Sequence, residues 1–222
     1  PAHETMVALL RQRPDLINPL LRALGRHELP NDLTARDSAL RLTNPLEVRP
    51  DVVLLGDEAH GAWVVVDVQR AVDATKQRRW PAAAAVLLDT RGVMGDVLVI
   101  THDASVARWA EDVACVCGPG GTQLWLRPIV VQLTVDQVDA LLATGNAEMA
   151  LFAAWAVHDQ TGQRARGVVR AAVLAIENAP DAELRRELMR VMISMLGDAF
   201  ADVIVEMLVT PLQIPDSPAW KR

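Results

Sequence analysis

Asp51, Asp67, Gln69 and Lys76 are the residues whose types and spacing could do chemistry. Two aspartates held opposite one another repel unless a cation or a shared proton compensates them. Their oxygens suit a hard divalent ion. An amide two residues beyond the second aspartate and a lysine shortly after it would complete a polar group able to bind and activate water. The lysine stands out by rarity: of 22 basic side chains only Lys76 and Lys221 are lysines, and the rest are arginine. A compact, mobile ammonium serves where the fixed fork of arginine does not.

The elements that must position these groups are two strands and a helix. Residues 51–56 and 62–68 are apolar, largely β-branched runs, and Asp57-Glu58-Ala59-His60-Gly61 between them has turn chemistry, so the pair reads as a β-hairpin. With Ala59 at the centre of the loop, Gly56 faces Ala62, Val53 faces Val65 and Asp51 faces Asp67. Cross-strand partners have Cβ atoms roughly 5 Å apart, and Gln69 shares the face of Asp67 because side chains alternate along a strand. Downstream, Asp73 is an N-cap for a helix through Trp80 that extends toward Asp89, with Lys76 in its first turn leaning back toward the strand end. The plain alternative is that both aspartates solvate the rim of the hairpin.

The 222 residues, half of them apolar, suffice for one large domain or a domain with a helical appendage, and they exclude a disordered chain. No apolar run approaches the roughly 20 residues of a membrane helix, and no signal-peptide pattern opens the sequence, so a cytoplasmic location without a membrane partner is expected. Net charge is −6, which argues against a surface that binds nucleic acid everywhere. A local cleft remains open, since Arg49, Arg70, Lys76, Arg78 and Arg79 cluster about the hairpin, where a solvated helix face is the alternative. Cys115 and Cys117 alternate on one strand and read as reduced, buried, small apolar residues. The five histidines are scattered without metal-ligand spacing. His60 reads as a turn residue, and His102, at a strand end, could approach a site there.

Along the rest of the chain, 4–12 and 15–24 read as short helices, the second capped by Asp15 and stopped by Gly25. Residues 26–37 look irregular and 39–43 look like an edge strand. Residues 96–101 are an uninterrupted apolar strand, hence buried on both faces in a parallel or mixed sheet. Asp103 caps a helix with Val106, Ala107, Trp109 and Ala110 inward. Residues 113–117 and 124–133 read as further strands, with Pro128 marking a bulge or edge. The glycine run 118–121 reads as a turn, lacking the lysine of a phosphate cradle. From Thr134 onward, 135–144, 147–158, 164–178, 181–196 and 198–208 carry helical periodicity. The division expected is an α/β core over 1–134 and a helical extension over 135–222 packed on it.

Together these residues resemble the PD-(D/E)XK nuclease superfamily, and within it the recombination-promoting nuclease, transposase-like branch found in high-GC bacteria. The likeness is carried by Arg-Pro-Asp51 before an apolar strand, then Val-Val-Val-Asp67-Val-Gln69, Asp73, Lys76, Trp80-Pro81, the later Leu-Val-Ile strand, Ala-Arg-Trp109-Ala, and the N-terminal segment to Gly25. It spans roughly residues 5–160. It implies a restriction-endonuclease-like mixed central sheet (an αβββαβ core) flanked by helices. It also implies Mg²⁺ or Mn²⁺ held by Asp51 and Asp67, and hydrolysis of DNA phosphodiester bonds. Asp67 takes the place of the branch's usual glutamate, Gln69 stands where other nucleases have lysine, and Lys76 is that lysine relocated to the helix. Arg49, Arg70, Arg78 and Arg79 would then meet the nucleic acid. The alternative is a catalytically inactive nuclease fold used as a binding or regulatory module, able to form a homodimer through its C-terminal helices.

Overall fold

Residues 52–55 and 63–68 are apolar except for Asp67 and rich in valine, and in the computed structural model they form the antiparallel heart of a sheet. The structure describes residues 2–26, 28–29, 34–36, 40–41, 47–48, 50–56, 61–112, 114–117 and 122–209. In chain order the elements are α1 (Ala2–Gln12), α2 (Ile17–Ala23), β1 (Thr34–Arg36), β2 (Leu40–Arg41), β3 (Glu47–Val48), β4 (Val52–Leu55), β5 (Trp63–Val68) and α3 (Ala74–Arg91). Then come β6 (Asp96–Thr101), α4 (Ala104–Glu111), β7 (Ala114–Cys117), β8 (Gln123–Leu126) and β9 (Ile129–Gln132). Helices α5 (Val138–Ala143), α6 (Ala147–Ala156), α7 (Gln163–Glu177), α8 (Ala182–Leu196) and α9 (Ala201–Val209) complete the described chain.

The fold is mixed α/β: a five-stranded sheet, in the order β1-β4-β5-β6-β9, flanked by helices. β1 and β5 run antiparallel to β4, while β6 and β9 continue parallel to β5. In the hairpin Val53 faces Val65 and Leu55 faces Trp63, and the Gly56 amide donates to the Ala62 carbonyl at 2.8 Å. This is the register expected from the loop; the loop residues 57–60 and His60 lie outside the described residues.

Alternation along the strands divides the core. Val52, Leu54, Val64, Val66, Val68, Leu98 and Ile100 face the larger cluster, shared with α1, α2 and the helices from α5 onward. Val53, Trp63, Val65, Val97 and Val99 face the smaller one, closed by Trp80, Ala83, Ala84 and Leu87 of α3 and by Ala107 and Ala110 of α4. Asp67 has the same parity as Val65 and so lies on the α3 side. Helix α6 is apolar on every side and buried along its whole length, as an interior helix must be. Its one charge, Glu148, pairs with Arg13, which also pairs with Asp15. Gly95 admits β6 beside β5, since a Cβ there would stand 2.1 Å from the Trp63 carbonyl oxygen.

Several expectations need correction. The outer strand of the sheet comes from the segment read as irregular, because β1 pairs with β4. The predicted edge strand at 39–43 is β2, which pairs with β3 in a separate ribbon. The single strand expected over 124–133 is two. β8 pairs with β7 away from the central sheet, and the chain breaks at Arg127-Pro128 before β9 joins β6. Proline has no N–H to give a ladder, so it sits at the change of sheet. Asp15 is not a cap; it lies in the 3-10 turn Pro14–Leu16 and binds Arg13. Cys117 is exposed, not buried, and the side chain of Cys115 and residues 118–121 lie outside the described residues.

Candidate functional site

Helix α3 sets the geometry of the site. Asp73 begins it, its carboxylate accepting from the amides of Thr75 (2.8 Å) and Lys76 (3.2 Å). Lys76 and Trp80, four residues apart, therefore share the helix face turned toward β5. Lys76 Nζ donates to Asp67 Oδ1 at 2.9 Å and to Asp51 Oδ1 at 3.0 Å. Trp80 Nε1 donates to the other Asp67 oxygen at 2.6 Å. Asp51 Oδ2 accepts from the Val68 amide at 2.8 Å and lies 3.3 Å from His3 Nε2, while Arg11 donates to the Asp51 carbonyl at 2.9 Å. The two carboxylates thus meet through one ammonium, with their outer oxygens held by an indole and a backbone amide.

The electrostatics follow from that ratio of two acids to one base. Asp67 is 1% exposed. Burial raises its carboxyl first and the neighbouring Asp51 second, and the lysine and indole offset only part, so its pKa is pushed up to about 6. Burial alone would lower the Lys76 ammonium, but Asp67 and Asp51 outweigh it and the pKa ends above the ordinary lysine value. His3 is lowered by burial and then by Lys76 and Arg70, which favours the neutral imidazole. With His3 neutral and both acids ionised, the group keeps one uncompensated negative charge in a poorly solvated place.

Gln69 follows β5, and its amide donates to the Ile100 carbonyl at 2.9 Å. Its side-chain Nε2 is buried and has no hydrogen-bond partner among the described residues. Arg70, Arg78 and Arg79 are exposed around the start of α3, and Arg78 Nε donates to the Ala74 carbonyl at 3.3 Å. Arg49 lies outside the described residues. The structure therefore brings Asp51, Asp67 and Lys76 into direct contact and leaves Arg70, Arg78 and Arg79 on the rim. The sequence reading missed Trp80, His3 and Arg11 as partners. The spacing of Trp80 from Lys76 was a usable signal, whereas nothing local tied α1 to Asp51.

A second polar cluster lies off the end of the same sheet. His102 follows β6, and His158 and Asp159 follow α6. His102 Nε2 lies 2.7 Å from Asp159 Oδ2, and His158 Nε2 lies 3.1 Å from Asp159 Oδ1. The histidines expected to be scattered include, after all, a pair with ring centroids 4.4 Å apart. Among the described residues no helix is long and apolar enough to cross a membrane. Comparison of the chain with protein-family models, with curated proteins and with solved structures finds no match.

Proposed function

We propose that the chain is a divalent-cation-dependent nuclease that hydrolyses phosphodiester bonds of DNA at Asp51, Asp67, Gln69 and Lys76. The observation that carries the reading is the Lys76 ammonium set between two carboxylates, Asp51 just before β4 and the buried Asp67 on β5. Apart from α2 and the separate β2–β3 ribbon, the order α1, β1, β4, β5, α3, β6 is compatible with the αβββαβ core that the sequence resemblance implies.

The donor set fits Mg²⁺ or Mn²⁺: two carboxylates supply hard oxygens, and their negative charge exceeds what one lysine neutralises. Asp51 and Asp67 would hold the ion. When bound, it supplies Lewis-acid polarisation of the phosphate and lowers the pKa of the attacking water. Val68 N–H and Trp80 Nε1 fix the outer carboxylate oxygens and so aim the inner ones. Lys76, drawn off one carboxylate, donates to a phosphate oxygen and stabilises charge that develops there. Gln69 brings an unused N–H₂ that can orient water or phosphate. Arg70, Arg78 and Arg79 bind flanking phosphates. Two carboxylates, one ammonium, a divalent ion and a singly charged phosphodiester sum to zero, so substrate completes the charge balance.

One observation favours the alternative of a catalytically silent binding module, alone or as a homodimer. Lys76 already bonds one oxygen of each acid without any ion, and Asp67 is almost closed to solvent. Plasmid nicking separates the two. Purified wild type is expected to nick supercoiled DNA in Mg²⁺ or Mn²⁺ and to stop with chelator, and Asp67→Asn is expected to be inactive. Mn²⁺ is expected to outperform Mg²⁺, whose octahedral demands a short aspartate meets less well. Equal nicking by wild type and Asp67→Asn, or none by wild type in either metal, would sink the nuclease reading.

A further inference from the structure

We propose that His102, His158 and Asp159 form a separate cation site for a borderline transition metal, Zn²⁺ in the first instance. The proposal does not rest on the nuclease reading. It draws on different elements and a different donor class: two imidazole nitrogens and a carboxylate select Zn²⁺, Ni²⁺ or Cu²⁺ over the hard ions that suit Asp51 and Asp67.

The geometry carries it. One ligating atom from each of the three residues lies within 4.8 Å of the other two, and both Nε2 atoms turn toward the same carboxylate. Ligands on a tetrahedral Zn²⁺ with bonds near 2.0–2.1 Å stand about 3.3 Å from one another, and each Nε2 stands close to that separation from one of the two Asp159 oxygens, at 2.7 Å for His102 and 3.1 Å for His158. The supports are ordered elements: His102 continues β6 directly, and His158 and Asp159 lie in the turn just after α6, a helix buried throughout. A helix C-terminus carries a partial negative charge that adds to the attraction for a cation. The histidine side chains are only 6% and 13% exposed, but Asp159 is 64% exposed and gives an ion a way in. A cavity of about 480 Å³, lined in part by His102, Ser105, Gln132, Thr134 and Asp159, leaves room for water or an anionic ligand in a fourth position.

One feature limits the strength of the site. Coordination through Nε2 places a proton on each Nδ1, and Nδ1 of both rings is buried without a hydrogen-bond partner among the described residues. No acceptor among the described residues meets either Nδ1 to raise ligand basicity, so affinity falls below that of a structural zinc centre.

The test is a Zn²⁺ titration of the tag-free, metal-stripped full chain, followed by calorimetry and by the imidazole ¹⁵N resonances of its five histidines. The expected result is saturable binding with His102 and His158 Nε2 shifting together. The same titration with Co²⁺ gives the visible absorption of a low-coordinate, imidazole-bound ion. Asp159→Asn, at an exposed position, is expected to weaken binding by more than the roughly 10- to 100-fold that loss of an outer partner costs. His158→Gln is expected to remove the Co²⁺ band, and Asp67→Asn to leave both histidine shifts in place. Absence of Zn²⁺ binding, or binding that moves neither His102 nor His158, would overturn the proposal and leave a carboxylate clamped by two imidazoles.

Discussion

Asp67 concentrates the physics of the first site in one side chain. Both of its oxygens accept hydrogen bonds from charged or indole N–H groups, yet burial and Asp51 hold its pKa near 6 against an ordinary 3.8. The folded protein thus binds this proton more tightly than the unfolded chain does. The resulting stability is fully present below about pH 3.8 and is lost as pH rises through about 6. The raised Lys76 pKa acts only near and above the ordinary lysine range, so it contributes a constant over that window. In chelator, the stability of wild type relative to Asp67→Asn is expected to fall between pH 4 and 7 by on the order of 3 kcal/mol, read from urea unfolding. A flat difference would mean that Asp67 stays ionised throughout. Asparagine is not a silent replacement: with one acceptor oxygen for two donors, it turns its own N–H₂ toward Lys76 or Trp80. A baseline cost of about 1–3 kcal/mol is expected at high pH, offset in part by relief of the repulsion from Asp51.

At the scale of elements, α3 is the part that joins two strand-end carboxylates into a site, and Asp73 decides where it starts. Asp73→Ala removes acceptors for the Thr75 and Lys76 amides and is expected to cost about 1 kcal/mol while loosening the turn that aims Lys76. Nicking in Mn²⁺ is expected to fall much further than the melting temperature does. A loss of stability with unchanged activity would show that the first turn of α3 does not position the lysine. Much of this was legible beforehand. Two β-branched runs bounded by turn residues fix a hairpin, an odd number of loop residues fixes which side chains pair, and an aspartate three residues before Lys76 marks a helix start. Partner choice among strands was not legible. β7 and β8 are four-residue, mainly apolar segments like β4 and β9, and only long-range pairing tells a ribbon from the central sheet. Pro128 did carry the information: it marks a break just before β9, the edge strand of the central sheet, and not a bulge. The second polar cluster was invisible for the same reason. His102 and His158 are far apart in the chain and meet because the C-terminal end of α6 comes up to the end of β6, where the Trp155 and His102 ring centroids lie 5.2 Å apart.

For the whole molecule, the larger core decides how the parts depend on one another. One continuous set of buried side chains runs from Met6 and Leu10 of α1, through Val52, Val66 and Ile100 on one sheet face, to Phe152, Val169 and Met192 of the later helices. α1 also carries His3 and Arg11 to Asp51, so the same packing that holds the helices steadies the first carboxylate. An α/β part and a helical part that share a core in this way cannot lose one face of it independently, because exposing either strips apolar surface from both. Calorimetric unfolding is therefore expected to show one transition, with calorimetric and van't Hoff enthalpies in agreement. Phe152 tests the coupling, since it is fully buried in α6 and belongs to the helical part alone in sequence. Phe152→Ala is expected to cost about 3–5 kcal/mol and to lower the unfolding of sheet and helices together. Hydrogen exchange follows this strand by strand: amides of β5 and β6 should lose protection by the same free energy as those of α7. If β5 and β6 keep wild-type protection while α7 loses it, the helices form an independent folding unit and the shared core does not couple them.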